Sequence, residues 1–208
     1  MEDVLDLYQQ PLDDDYPVIC MDEKPYQLLD EARKPILMKP CKPAREDSEY
    51  KRNGTCCIFL FTEPLAGWRH VGAHERRTRI DWAHEIRELL DIHYPKAIKI
   101  RLVMDNLNTH NLASLYEAFD PETARRLAKR LEIHYTPKHG SWLNIAEIEL
   151  GAMTKQCVGR RIPSLMELNI ELQEWESGRN KMQKGVDWQF TTNDARIKPR
   201  RLYPQFKS

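Results

Sequence analysis

The sequence predicts one α/β domain built on a mixed β-sheet. Three apolar segments of strand character come first, helical and strand segments then alternate, and two helical segments follow. This order is typical of a sheet covered by helices. The chain has 208 residues, enough for one sizeable domain, and its sequence shows no internal repeat.

The first three strands are predicted from short apolar runs. PVICMDEKP, residues 17–25, is expected to be a buried strand that ends at Pro25. GTCCIFLFTEP, residues 54–64, is strongly apolar, and GWRHVGAHER, residues 67–76, alternates in character. We expect these last two segments to pair as antiparallel neighbours.

The rest of the chain alternates between the two periodicities. DWAHEIRELLDIHYP has helical spacing, AIKIRLVM is a strand that stops at Asp105, and LEIHYTP is a further short strand. The predicted elements are a helix over 81–95, a strand over 97–104, a helix from about 111 to 130 with a break at Asp120-Pro121, a strand over 131–137, and helices over 141–159 and 163–183. Five strands and their flanking helices therefore make up the domain.

Composition excludes several classes of protein. No apolar run approaches the roughly 18 residues of a membrane span, and the acidic N-terminus does not resemble a secretion signal, so we expect a cytoplasmic protein with no membrane partner. Five cysteines without a CxxC pair favour reduced thiols. The seven histidines match no zinc pattern and are expected to be core or surface residues, which argues against structural zinc.

Basic residues are concentrated in two segments although the net charge is zero. One segment spans residues 33–52 and the other spans residues 179–208. They are either solvated loops or contacts to nucleic-acid phosphates.

Three acids occupy positions where a metal ion would compensate their charge. Asp22 lies at the end of the first predicted strand, Asp105 at the end of the fourth, and Glu147 on the helix after the fifth. Hard cations such as Mg²⁺ take carboxylate oxygens. Each acid could instead cap a helix or form a salt bridge, and helical periodicity does not separate Glu147 from Glu149. Asn144 and Gly151 share the flank of Glu147, which favours Glu147 as the ligand.

Three segments, VICMDEKP, LVMDNLNTH and HGSWLNIAEIE, together resemble the catalytic blocks of bacterial insertion-sequence transposases of the six-thirty family, within the mariner-like DDE superfamily. The resemblance implies a ribonuclease-H-like fold. It also implies that Asp22, Asp105 and, through the LNxxE pattern, Glu147 are the catalytic acids and hold two Mg²⁺ or Mn²⁺ ions. The implied chemistry is two-metal phosphoryl transfer that cleaves DNA strands and joins them to a target.

Further residues are candidates for supporting roles. Glu23 follows Asp22 and could be an outer metal ligand, although its side chain should point to the opposite face of the strand. Asn106 and His110 are expected to open the next helix, where they could contact phosphate or cap the helix. Trp142 could stack on an unpaired base or pack under the helix. Asn144 could contact DNA or a ligand of the metal.

The resemblance also bears on partners. Only 21 residues precede Asp22, too few for a helix-turn-helix region, so we expect a single catalytic domain over residues 1–208. The expected partners are DNA, as transposon ends and target, a second copy of the chain in a homodimer, and a separate helix-turn-helix protein of the same element. We expect a nucleoid-associated protein. The alternatives are a ribonuclease-H-like nuclease and a non-catalytic remnant that binds DNA or a full-length partner.

Overall fold

The computed structural model describes residues 1–33, 36, 38–42, 47–138 and 140–197. Five strands form one sheet in the order β3-β2-β1-β4-β5. Their bounds are β1 Val18–Glu31, β2 Tyr50–Glu63, β3 Trp68–His74, β4 Ile100–Met104 and β5 Leu131–Tyr135. The first three strands pair in antiparallel fashion, whereas β1, β4 and β5 are parallel neighbours. The predicted mixed five-stranded sheet is confirmed.

Helices surround this sheet. The helices are α1 Glu2–Tyr8, α2 Arg79–Glu88, α3 Ala113–Ala118, α4 Pro121–Lys129, α5 Ala146–Gln156, α6 Leu165–Met182 and α7 Thr192–Ile197. A π-helical turn, Leu89–His93, continues α2, and a 3₁₀ turn, Ser141–Leu143, precedes α5. Within the part of the chain that the structure describes, none of the helices has the length and apolar character to cross a membrane.

Strand β2 shows how the sequence builds two hydrophobic cores. Its buried residues alternate, so that Ile58 and Leu60 belong to a core shared with α5 and α6. Phe59 and Phe61 belong to the opposite core, which contains Trp82 of α2. Successive side chains of a strand point to opposite faces, and both faces of the sheet are therefore covered.

Strand β1 is longer than predicted, because Pro25 does not end it. Pro25 lies opposite Cys57 within the antiparallel pairing with β2, which continues to Glu31. The parallel pairing of β1 with β4 involves only the start of the strand, Val18 to Cys20. Beyond that point β1 has an open side, where a residue without an N–H group is tolerated.

Two predicted helices also differ in detail. The segment after β4 is a loop as far as residue 112, and α3 and α4 are separate helices, as the predicted break at Asp120-Pro121 requires. Asp120 caps α4 with hydrogen bonds from the N–H groups of Glu122 and Thr123. The helix predicted from Ser141 starts only at Ala146, since Asn144 is extended. The short helices α1 and α7 were not predicted.

Helix α6 covers the outer edge of β3. The backbone N–H of Val71 donates to Glu176, and the N–H of Ala73 donates to Asn169. Side chains of α6 thus satisfy backbone groups that an edge strand would otherwise expose.

Candidate active site

Asp22 and Asp105 are brought together by the parallel pairing of β1 with β4. The last residue pair of that ladder is Cys20 with Val103, and each aspartate lies two residues farther along its own strand. Because parallel strands run in the same direction, both carboxylates lie at the same end of the pairing. The structure thus places two of the three predicted acids side by side at the centre of the sheet.

Glu147 reaches this place because Asn144 ties the start of α5 to β1. The Asn144 side chain is buried and donates from Nδ2 to the carbonyl oxygen of Met21 at 2.8 Å. Its Oδ1 accepts from the N–H of Ala146, and its carbonyl oxygen accepts from the N–H of Glu147. A single residue therefore sets the position of the first turn of α5 relative to Asp22.

The three carboxylates repel one another. Burial is the largest cause that raises the pKa of Asp22, to about 6, and the negative charges of Asp105 and Glu147 act in the same direction. A hydrogen bond from the N–H of Glu23 to Asp22 Oδ1, 2.7 Å long, opposes this rise. Asp105 has a fixed orientation because the Thr136 hydroxyl donates to its Oδ1 at 2.6 Å. Thr136 was not among the site residues predicted from the sequence.

Glu149, the competing glutamate of α5, has a structural role. Its carboxylate is buried and accepts from Arg69 Nε at 2.9 Å and Nη2 at 2.8 Å, and from Arg179 at 3.0 Å. Although burial acts to raise its pKa, the two arginines hold the pKa of Glu149 below its ordinary value. Glu147, by contrast, is exposed at the surface next to Asp22.

The charge balance fits a cation site. Among the described residues, no lysine, arginine or histidine forms an ion pair with Asp22, Asp105 or Glu147, whereas Glu23 and Glu149 are each paired. Neighbouring carboxylates repel one another, and the partial burial of Asp22 adds to the cost of its charge. Hard divalent cations bind such oxygens, so the residues present suit Mg²⁺ or Mn²⁺.

Glu23 and His110 form a buried hydrogen-bonded pair next to Asp22 and Asp105. The Glu23 carboxylate is buried, bonds to His110 Nε2 at 2.6 Å and accepts from Arg77 at 3.1 Å. His110 is 2% exposed, and its Nδ1 lies 3.2 Å from the carbonyl oxygen of Asp105. The side chains of His110 and Asn144 are both buried and hydrogen-bonded within the protein, and the direct DNA contact predicted for them is not supported by this placement. An indirect role beside the metal remains a prediction for Glu23, His110 and Asn144.

Asn106 and Trp142 remain accessible. Asn106 lies in the loop after β4, not at a helix start, and lines a pocket of about 470 Å³ with Asp105, Thr136 and Lys138. The phosphate site predicted at a helix N-terminus is therefore wrong, since α3 begins only at Ala113. Trp142 is 40% exposed and packs edge-on against Phe190, with ring centroids 5.5 Å apart. Stacking of a base on its open side stays a prediction.

The two basic segments are only partly described. Lys34, Arg45, Lys198, Arg200, Arg201 and Lys207 lie outside the described residues. Arg179 belongs to the Glu149 ion pair, and Arg33 lies 3.4 Å from Asp47. Lys51 and Arg52 are exposed on β2. Among the described basic residues, Arg179 and Arg33 therefore have acidic partners within the chain.

The chain belongs to the DDE superfamily endonuclease family, whose model matches residues 17–169. A search of curated proteins found no match.

Solved structures of Mos1 show the same ribonuclease-H-like transposase fold. A Mos1 mariner paired-end complex with Mn matches with a TM-score of 0.56 and 16% identity, over 88% of this chain and 54% of that one. A Mos1 strand transfer complex matches with a TM-score of 0.57 and 15% identity, over 88% and 54%. A Mos1 transposase paired-end complex with the left transposon end matches with a TM-score of 0.54 and 15% identity, over 81% and 50%. The chain thus spans about half the length of these proteins.

Proposed function

We propose that this chain is a transposase catalytic domain of the bacterial insertion-sequence six-thirty type, which cleaves DNA strands and joins them to target DNA. The observation that carries the proposal is the group formed by Asp22, Asp105 and Glu147, which has no cationic partner among the described residues. The family match and the Mos1-like fold support it.

The three acids would hold two Mg²⁺ or Mn²⁺ ions. When bound, such ions activate the attacking oxygen and neutralise charge on the leaving oxygen. Asp22, whose pKa is raised by the charges of both other acids, is proposed as the residue that would contact both ions. Thr136 orients the carboxylate of Asp105, and Asn144 positions Glu147. The Glu23–His110 hydrogen bond supports the loop that follows Asp105.

DNA is the proposed substrate, both as transposon end and as target. The pocket beside Asp105 is rimmed by exposed Lys138 and Asn106, which suit a phosphate and a nucleotide edge. We further propose a homodimer, a separate helix-turn-helix protein that supplies recognition of the ends, and association with the nucleoid. Specific recognition commonly adds about 4–10 kcal/mol to non-specific binding, which phosphate contacts alone do not provide.

A strand-transfer assay tests the proposal. The substrate is a pre-cut end with a free 3′-hydroxyl, supplied with Mn²⁺, target DNA and the helix-turn-helix protein of the element. Wild type and the Glu174→Gln variant, which changes an exposed glutamate of α6, should join the end to the target, and Glu147→Gln should not. A chain that nicks DNA without joining ends supports the nuclease alternative. A chain that binds DNA but does neither supports the remnant.

A further inference from the structure

A second group of possible metal ligands lies at the β3 edge of the sheet, away from the three acids. His70 is on β3, Glu85 and Glu88 are on α2, and His93 ends the π-helical turn. His70 Nε2 lies 3.8 Å from both Glu85 Oε2 and Glu88 Oε1, and His93 Nε2 lies 3.7 Å from Glu88 Oε1. Within the described residues, ligand atoms of His70, Glu88 and His93 all lie within 4.8 Å of one another.

The π-helical turn is the reason that His93 belongs to this group. The N–H of Tyr94 donates to the carbonyl oxygen of Leu89, a five-residue step, at 2.9 Å. In a regular α-helix, residue 92 would follow Glu85 and Glu88 on the same face. The extra residue turns His93 inward instead and leaves Ile92 68% exposed. Such turns are rare and are often found at functional sites.

Buried atoms in this group lack hydrogen-bond partners. Glu85 Oε2 and His93 Nε2 are both buried, and neither has a hydrogen bond among the described residues. The Glu85 side chain is only 4% exposed. Buried polar atoms are normally satisfied, and an exception suggests an ion or water at that place.

Neighbouring groups are placed to orient the ligands. Glu176 Oε2 lies 3.3 Å from His70 Nδ1, on the far side of the ring, and is itself fixed by the N–H of Val71 at 2.8 Å. His74 is hydrogen-bonded to the other carboxylate oxygen of Glu85. Carboxylates behind a ligating histidine are common in metal sites, where they fix the orientation of the ring.

We propose that His70, Glu88 and His93, with Glu85 as a fourth ligand, bind Zn²⁺ or a similar ion of intermediate softness, joining the end of α2 to β3. Ligand atoms about 2.0–2.1 Å from Zn²⁺ lie about 3.3 Å apart in a tetrahedron, so the three separations of 3.7–3.8 Å need to shrink by about half an ångström. His70 and His93, whose ligand atoms lie within 4.8 Å of each other, need to approach by at most about 1.5 Å. Imidazole nitrogen and carboxylate oxygen suit such ions. His93 also lines a pocket of about 270 Å³, which gives an ion access.

A protonated His70 is the competing explanation. Burial lowers the pKa of His70, but Glu176, Glu85 and Glu88 outweigh burial and leave it raised. A protonated ring would balance part of the negative charge without any metal. The two explanations differ in whether the protein binds Zn²⁺ through two imidazoles.

Calorimetric titration with Zn²⁺ distinguishes them. The titration uses the Asp105→Ala variant, so that binding at the three catalytic acids is weakened. We expect one equivalent of Zn²⁺ to bind, and we expect His70→Gln or His93→Gln, added to that variant, to weaken binding at least about tenfold. His84→Gln is the matched control, since His84 is an exposed histidine of α2. Its replacement should leave the Zn²⁺ affinity unchanged. Absence of binding, or binding that both cluster variants retain, would overturn the proposal.

X-ray absorption at the zinc edge of the zinc-loaded Asp105→Ala protein adds a test that does not depend on the histidine variants folding. Two imidazole ligands among nitrogen and oxygen neighbours at about 2.0–2.1 Å are expected. A sulfur neighbour at about 2.3 Å would assign the ion to a cysteine. That result, or a shell of oxygen alone, contradicts the site.

Discussion

Arg69 and Glu149 form a buried two-point ion pair, with Nε to Oε2 at 2.9 Å and Nη2 to Oε1 at 2.8 Å. Arg179 binds the same carboxylate from α6. The pair joins β3 to α5, and the Glu149 carboxylate is therefore fully engaged in contacts that stabilise the fold. Glu147, two residues earlier on the same helix, is left at the surface beside Asp22.

Glu149→Gln should therefore lower stability. Loss of one member of a buried ion pair leaves the other charge uncompensated and costs about 3 kcal/mol or more. Urea unfolding measures this change. Glu147→Gln is the matched control and should change the free energy of unfolding by no more than about 0.5 kcal/mol. An equal loss of unfolding free energy in both variants would contradict a structural role for Glu149 that Glu147 does not share.

Asp22→Asn should stabilise the metal-free protein at neutral pH. The pKa of Asp22 is raised to about 6 in the folded chain, against about 3.9 when unfolded. Between these two pH values Asp22 is protonated in the folded state but ionised in the unfolded state. The free energy of unfolding therefore falls as the pH rises from about 4 to about 6. Removing the charge should recover about 1–3 kcal/mol at pH 7.5 and nothing below pH 4.

The measurement is unfolding in EDTA at both pH values. Asp187→Asn, a change at an exposed acid, should show no such pH dependence. If Asp22→Asn is no more stable than wild type at pH 7.5, the ionised Asp22 carboxylate does not destabilise the folded protein as inferred from its raised pKa.

Asn144→Ala should cost about 1–3 kcal/mol, because it leaves the buried carbonyl oxygen of Met21 without its hydrogen bond. Chemical denaturation gives the value. The control is Asn108→Ala in the exposed loop after β4, for which a change within about 0.5 kcal/mol is expected. A similar small change for Asn144→Ala would exclude its role in tying α5 to β1.

DNA affinity should depend on salt. Each phosphate contact contributes a slope of about −0.9 to log K against log salt on duplex DNA. Lys51→Ala combined with Arg52→Ala should reduce the slope by about two units if both exposed residues contact phosphate. Fluorescence anisotropy over a salt series measures it. An unchanged slope would assign these residues to the solvated surface.

Much of this architecture was predictable because its signals are local. Apolar runs such as CCIFLF predict strands directly, and an acid that follows LVM at a strand end indicates compensation by another group. The length of β1 was not predictable, because the tolerance for Pro25 depends on which side of the strand is open.

The choice between Glu147 and Glu149 also required the structure. The two residues flank the apolar stripe at similar angles, and only the approach of Arg69 and Arg179 from distant segments separates them. For the same reason the histidine cluster has no sequence signal. His70 and His93 are brought together by one extra residue in a helical turn, which periodicity does not reveal.

Binding of Mn²⁺ to the three acids is the most direct test of the account. Calorimetry should show that Asp105→Ala weakens Mn²⁺ binding at least about tenfold, while Asp187→Ala, an exposed acid, leaves it unchanged. His93→Gln, measured alongside, should also leave it unchanged, because Mn²⁺ prefers oxygen ligands. Mn²⁺ affinity that is the same in wild type, Asp22→Ala and Asp105→Ala would contradict the assignment of the catalytic site.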